Sequence, residues 1–475
     1  MEKTKIEKPE ITQAINAFSQ KKFDKAEKIC LEVLSKSDDA DANHIIGCIR
    51  MGEKKFDESI EYINKSLAKD PDNLGTLISL GCAQSSSKDY KNSITSFNKV
   101  VKKKSDISQV HFYLGEAYRQ LEKYEKSLES FKECLRLTPD HIGCQMMIGV
   151  IYEELKRFNQ AIDFYKSCID TYPEYIAPHV NLGMCLLLTG NYEEGWNEYE
   201  WRLKISGDDI YQKEFKKPKW NGEDLDNKKL LVICEQGFGD SVQFIRFAES
   251  LSKEGATIFI MSPDELKSLL VNQKGVSKVF GYDDVLPEYD FYTYILSIPK
   301  ILKWEPKMDT QHFPYLKVEE KNLPFIVKDK INIGILTQTR RGASDEKFRS
   351  IELAKFSGVF EKQKHNIVSL DYFVNEDTSN SGIIDVFPEI NDVADTANII
   401  KNLDLVICVD TLVAHIAGAL NKKTWLMLAA VPGWRWDLNY PDSTPWYPSI
   451  EIFRQQTNND WDTMIKNIKD KLNNV

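Results

Sequence analysis

QVHFYLGEAYRQLEKYEKSLESFKECLRLTP, residues 109–139, holds two amphipathic helical stripes and the turn between them. Val110, Leu114, Ala117 and Leu121 share one face of the first segment, and Tyr124, Leu128, Phe131 and Leu135 share one face of the second. Its glycine, aromatic and proline all recur. Phe23, Phe56, Tyr90, Tyr124, Phe158 and Tyr192 are spaced 33, 34, 34, 34 and 34 residues apart. Nine residues upstream stand Gly47, Gly81, Gly115, Gly149 and Gly183; fifteen downstream stand Pro71, Pro139 and Pro173, with Asp38 and Ser105 breaking the rhythm. Three position classes sharing one period predict a helix–turn–helix solenoid. The glycine admits a close neighbouring helix, the aromatic is expected to fill the space between helices, and the proline closes the second helix because it has no amide hydrogen.

This pattern resembles a tetratricopeptide repeat array of about six copies over residues 10–205. The resemblance implies a concave surface that grips extended peptide or another protein. The alternative is an array that only holds the second half of the chain or makes a dimer. Some peptide-gripping arrays carry an asparagine ladder, but the position two before each glycine reads Ile45, Ser79, Tyr113, Met147 and Asn181. The last copy runs on through GNYEEGWNEYEWRLK, 190–204, whose aromatics suit a cap packed against the next domain.

Composition narrows the classes. At 475 residues the chain exceeds one core, and 42% hydrophobic with 28% charged residues is ordinary for a globular protein. A net charge of −10 disfavours nucleic acid as the main ligand. MEKTKIEKPE does not read as a signal peptide, and runs such as LDLVICV, 403–409, are too short to cross a bilayer. Nine cysteines without a CxxC pair or a His/Cys cluster at zinc spacing read as reduced core thiols. A cytoplasmic location without a transmembrane segment is the expectation.

Beyond a polar connector, 206–226, the pattern becomes strand, turn, helix, strand. LLVICE (230–235), TIFIMS (257–262) and FYTYILS (291–297) read as strands, with one helix over 242–255. INIGILT (331–337), NIVSL (366–370), LDLVICVD (403–410) and KTWLMLAA (423–430) start the series again. Two doubly wound units imply two Rossmann-like lobes, 227–325 and 326–475, with a cleft where strand carboxyl ends meet.

Two strand-to-helix turns carry the chemistry. In EQGFGDSVQF, 235–244, Gly237 and Gly239 are expected to permit the tight turn and the approach of a ligand. Asp240 with Gln243 also has capping-box spacing, so Asp240 is a helix cap, a cleft carboxylate, or both. In VICVDTLVAHIAGAL, 406–420, Asp410 ends a strand and a helix opens at Thr411. The amides of Thr411, Leu412 and Val413 are expected to form an anion site. His415 stands four residues on, as core residue or functional group.

VDTLVAHIAGALNKKTW resembles the nucleotide-sugar motif of heptosyltransferase-like family 9 glycosyltransferases, and EQGFGDSVQFIRFA resembles their N-lobe glycine turn. VPGWRWDLNYPDSTPWYPSIEIFRQ and a tail helix at 461–472 resemble the branch fused to tetratricopeptide repeats. The resemblance spans about residues 215–475. It implies a GT-B fold and inverting, metal-independent transfer from a nucleotide sugar. It implies Asp240 as general base, Asp410 and Thr411 as donor contacts, His415 as the helix histidine, and Arg349 or Lys347 as the cleft cation. Leu412 stands where ADP-heptose enzymes have glycine, which narrows the pocket and puts a heptose donor and a lipopolysaccharide acceptor in question.

A helix N-terminus keeps Asp240 ionised yet makes it a weaker base, a tension the sequence leaves open. Arg340 and Arg341 read as phosphate contacts or surface. Trp434, Trp436 and Trp446 read as stacking platforms or as packing under the tail helix. The D-x-D string Asp224–Asp226 reads as solvated loop. The expected function is a glycosyltransferase with no metal or other cofactor, acting on a protein held by its repeats. Flagellin-like or other surface proteins are the acceptors that such fusions imply. The alternatives are a non-catalytic interaction scaffold and a glycan-directed transferase.

Overall fold

In a computed structural model, which describes residues 9–207, 209–307, 312–319, 321–339, 346–371 and 382–473, paired helices follow the sequence period. The first five pairs are Pro9–Ser19 with Phe23–Leu34, Ala40–Gly52 with Phe56–Lys69, Leu74–Ser86 with Tyr90–Lys103, Ser108–Gln120 with Tyr124–Leu137, and Ile142–Glu154 with Phe158–Thr171. Pro71, Pro139 and Pro173 each stand just beyond the C-cap of a second helix, where a missing amide hydrogen costs nothing.

Apart from Tyr192, which is buried, the aromatics of the ruler do not bury themselves between helices: Phe56, Tyr90, Tyr124 and Phe158 are only half-buried. Each opens a second helix, and Phe23 is 44% exposed. The filling side chains lie seven residues later, at Ile63, Phe97, Phe131 and Tyr165, all fully buried. They press on the periodic glycines: a Cβ on Gly81 would meet Phe97 at 2.5 Å, one on Gly115 would meet Phe131 at 2.6 Å, and one on Gly149 would meet Tyr165 at 2.2 Å. A serine ladder accompanies them. Ser59, Ser93 and Ser127 are buried and donate Oγ hydrogen bonds of 2.7, 2.8 and 2.7 Å to the carbonyls of Gly47, Gly81 and Gly115. Between the helices of each pair the backbone turns through a left-handed residue: Lys21, Lys54, Lys88, Glu122 and Lys156 have φ of 57–66°.

The chain divides into two compact units, Met1–Pro173 and Glu174–Val475. The sixth helical pair, Ile176–Leu188 and Tyr192–Tyr199, keeps the period but groups with the α/β part, so the division falls before residue 205. The reason is where its aromatics go. Trp196 packs edge-on against Phe244 and Trp434, and Tyr192 donates a 2.6 Å hydrogen bond to Asp437.

The second unit holds two all-parallel sheets. Strands β1 (Lys229–Ile233), β2 (Thr257–Met261), β3 (Val276–Phe280) and β4 (Phe291–Tyr294) form one, ordered β3-β2-β1-β4. Strands β5 (Ile331–Leu336), β6 (His365–Ser369), β7 (Ile383–Asp385), β8 (Leu405–Val409), β9 (Thr424–Leu428) and β10 (Ile450–Arg454) form the other, ordered β10-β9-β8-β5-β6-β7. Read from β7, this is the strand order of a doubly wound nucleotide-binding sheet, whose crevice lies where the order reverses, between β5 and β8. Strands β3, β7 and β10 are additions to the sequence reading, and β4 ends at Tyr294, before a 3₁₀ turn over Ile295–Ser297. The helix expected over 242–255 is two, Phe238–Phe244 and Phe247–Lys253. At the break Arg246 Nε donates to the Gln243 carbonyl at 2.7 Å.

The connector is packed rather than free. Trp220 is buried, its amide donates to Tyr292 at 2.7 Å, and Phe215 stacks on Tyr292 at 4.6 Å. Asp224 and Asp226 lie in an exposed turn. Among the described residues, no helix is long and apolar enough to cross a membrane.

Candidate functional site

The turn after β1 is sharper than its glycines suggest, and they do not make it. Gln236 carries the left-handed conformation, φ 60°, while Gly237 is extended at φ −86° and ψ 160°. Gly237 caps the Phe238–Phe244 helix, and its amide donates to Asp240 Oδ2 at 3.1 Å. Asp240 is therefore the third residue of the helix and closes back on the cap. Gln243 takes no part in that capping: its buried amide has no hydrogen-bond partner. Gly239 serves a protein contact, since a Cβ there would meet the His415 ring at 2.6 Å.

That contact brings the two turns together. The Leu412–Ala419 helix, which bears His415, packs on the Phe238–Phe244 helix. Thr411 is its N-cap, extended at φ −148° and ψ −179°, and makes no side-chain capping bond. Asp410, Thr411 and Leu412 are half-buried, so the end of the helix is neither sealed nor fully exposed. Leu412 stands at the first helical position.

Two arginines hold the carboxylates. Arg435 donates through Nε to Asp240 Oδ1 at 2.7 Å, its Nη2 reaches the same oxygen, and its guanidinium lies 4.3 Å over Trp434. Both oxygens of Asp240, which is only 3% exposed, are thus engaged. Burial works against the Arg435 charge, but Asp240, Tyr199 and Asp410 outweigh it, so its pKa lies above the usual arginine range. Arg349 donates through Nη2 to the Asp410 carbonyl and lies 3.5 Å from Oδ2. Lys347 is exposed, its ammonium 4.3 Å over the Phe348 ring. Arg340 and Arg341 lie outside the described residues.

His415 is a core histidine. It is 4% exposed, accepts or donates a 2.9 Å hydrogen bond with Tyr447, and stacks on Trp436 at 5.4 Å. Burial, helped by the Arg435 charge, pushes its pKa down to about 3, so the ring is neutral near pH 7. Trp434, Trp436 and Trp446 are buried, so none of them is an open stacking platform. Trp434 meets Trp196 and Tyr199, Trp436 meets His415, and Trp446 meets Phe244 and Trp304.

Sequence reasoning missed Arg435, although a lone cation between two tryptophans in WRW, 434–436, was its signal. It also missed Glu235, the last residue before the turn. Glu235 accepts from Arg202 Nε at 3.0 Å and Nη2 at 2.7 Å, from Tyr211 at 2.6 Å and from the Leu296 amide at 3.2 Å. Arg202 and Glu235 are 1% and 2% exposed, and nothing in the sequence pairs them across 33 positions. This ion pair anchors the first turn from below. Asp371, after β6, does the same for β5 by accepting from the amides of Thr337 and Gln338, each at 3.0 Å.

Comparison with known proteins bears on the repeats. Protein FlbA of Caulobacter vibrioides is 32% identical over 89 residues, which is 19% of this chain and 14% of FlbA. The chain therefore spans about one-seventh of that relative's length. A crystal structure of MamA protein is 21% identical, with a TM-score of 0.33, over 35% of this chain and 90% of that one. A second MamA crystal structure gives 21% and 0.32 over 34% and 93%. Family models described as tetratricopeptide repeat match residues 40–73 and 106–174, and these segments of the helical array are tetratricopeptide repeats.

Proposed function

We propose that residues 206–475 form a GT-B glycosyltransferase that moves a sugar from a nucleotide-sugar donor, with inversion and without a metal, to a hydroxyl of a protein presented by the repeats in the cytoplasm. The observation that carries this reading is the meeting of two strand-end turns at Gly239 and His415, with Asp240, Arg435, Asp410 and Arg349 around them. In the transfer, the acceptor oxygen attacks the anomeric carbon, the bond to the diphosphate breaks, and the acceptor proton passes to Asp240. A positioned carboxylate base contributes roughly 10²–10⁴-fold. Arg435, Arg349 and the amides at Leu412 offset the charge on the departing diphosphate. Since Arg435 also covers one oxygen of Asp240, a diphosphate that draws Arg435 away uncovers the base. Donor binding would thereby prepare proton transfer.

A panel of UDP-, GDP-, ADP-, CMP- and dTDP-linked sugars tests this by thermal shift. The true donor at 100 times its Kd stabilises the protein by about 2.7 kcal/mol. A second reading, a protein-interaction scaffold with an inert α/β half, is favoured by the repeats and by the full engagement of Asp240. Silence across the panel would select it.

A further inference from the structure

Cysteines 134 and 144 read as scattered core thiols in the sequence, yet the fold gathers them with His141. One donor atom from each of Cys134, His141 and Cys144 lies within 4.8 Å of the others. Cys134 lies in the last turn of the Tyr124–Leu137 helix, His141 caps the Ile142–Glu154 helix, and Cys144 sits in its first turn. The sulfurs belong to residues with no exposed surface, while His141 is half-buried and leaves a way in from solvent. Phe112 stacks on the imidazole at 5.1 Å and fixes its plane.

The repeat itself supplies the comparison. One period earlier the same three places hold Val100, Ile107 and Val110, and two periods earlier Ser66, Asn73 and Thr76. Those sets pack or cap a junction and offer no soft ligands. Only at this junction do three soft ligands coincide, although the cap alone is served by asparagine: Asn73 accepts the Thr76 amide at 3.0 Å, as His141 Nδ1 accepts the Cys144 amide at 3.1 Å.

We propose that Cys134, Cys144 and His141 bind one zinc ion, which ties the fourth helical pair to the fifth. Zinc takes thiolate at about 2.3 Å and imidazole at about 2.0–2.1 Å, which sets tetrahedral donors roughly 3.5–3.8 Å apart. The observed donors need to close by about 1 Å. Zinc takes the Nδ1 lone pair that otherwise accepts the Cys144 amide, and the imidazole keeps its proton on Nε2. Each thiol loses its proton to solvent as its sulfur binds, so uptake of one zinc releases two protons, and a water completes the four-coordinate shell.

The test uses the full chain, reduced and cleared of metal with a chelator. Cobalt(II), which reports tetrahedral thiolate ligation by its charge-transfer and d–d absorption, is titrated in and then displaced by zinc. The expected result is one equivalent per chain, proton release, and a zinc-dependent rise in Tm. Cys134→Ser and Cys144→Ser each lose at least about half of the thiolate band. His141→Asn preserves the cap and the helical circular dichroism, yet weakens zinc binding by more than the roughly 10–100-fold that losing even an outer partner costs. It therefore reads the site even if a cysteine variant fails to fold. No thiolate band in the reduced wild-type chain overturns the proposal. So does a band that keeps its full intensity in the cysteine variants, or zinc affinity unchanged in His141→Asn.

Discussion

Asp240 is bound twice, by the Gly237 amide that makes it a capping residue and by the Arg435 guanidinium that faces the other turn. Capping and chemical duty make separate demands on it, and substitution separates them. Asp240→Asn keeps the shape and the bond from Gly237, so donor binding is expected to survive while transfer falls by at least about 10²-fold. Measured side by side, unchanged turnover in this variant would reduce Asp240 to a cap. His415 gives a second residue-scale expectation, in stability. An unfolded histidine takes its proton near pH 6.5, and the buried His415 only near pH 3. Between those values the unfolded chain binds more protons, so stability that is complete above about pH 6.5 falls as the pH drops, by up to about 1.4 kcal/mol per pH unit. Urea midpoints at pH 7 and pH 5 check this. His415→Gln, which cannot charge, should lose less over that interval than the wild type.

In the helical pairs, periodic positions that look alike in sequence do different work. Gly115 has no room for a methyl group against Phe131, so Gly115→Ala is expected to destabilise the first unit by about 1–3 kcal/mol through overpacking. Lys88 occupies the left-handed turn between helices, where a Cβ is strained. Lys88→Gly relieves roughly 1–2 kcal/mol of that strain and costs roughly 0.5–1 kcal/mol in chain entropy, for a small net gain. Chemical denaturation of the two variants should move the midpoint in opposite directions. Both changes involve glycine, in neighbouring repeats, and their opposite signs follow from φ and from the neighbour, not from residue type.

At the scale of the whole molecule, the sixth helical pair is part of the α/β unit. It contributes Trp196 and Tyr199 to the aromatic cluster around Trp434, and its following turn contributes Arg202 to Glu235. A fragment beginning at Ser206 leaves the Glu235 carboxylate buried without its cation, a loss of about 3–5 kcal/mol before the aromatic contacts are counted. A fragment beginning at Glu174 keeps them. Expressed in parallel, the longer piece should unfold cooperatively on heating and the shorter should aggregate or lack a transition. Equal stability of the two would show that the pair is dispensable to the unit.

The period of the repeats was legible because a solenoid is quasi-one-dimensional: each pair meets its neighbours in order, so contacts recur at fixed separations along the chain. Strand-to-helix turns were legible for a related reason, since apolar runs that end at Glu235 and Asp410 mark the carboxyl ends of parallel strands. Short strands such as Val276–Phe280 and Ile383–Asp385 at the sheet edges were not, because they bury one residue or none and so lack the continuous apolar run of an interior strand. Burial of the ruler aromatics was misassigned because helix phase, not spacing, decides which side chain faces the glycine. What only the tertiary structure decided are the pairings across long separations, Arg435 with Asp240 and Arg202 with Glu235, and, over a short one, the meeting of His141 with two cysteines where two helices fold back on each other. An ion pair or a ligand set needs only proximity in space, and no local rule of sequence records which distant residues the packing brings within reach.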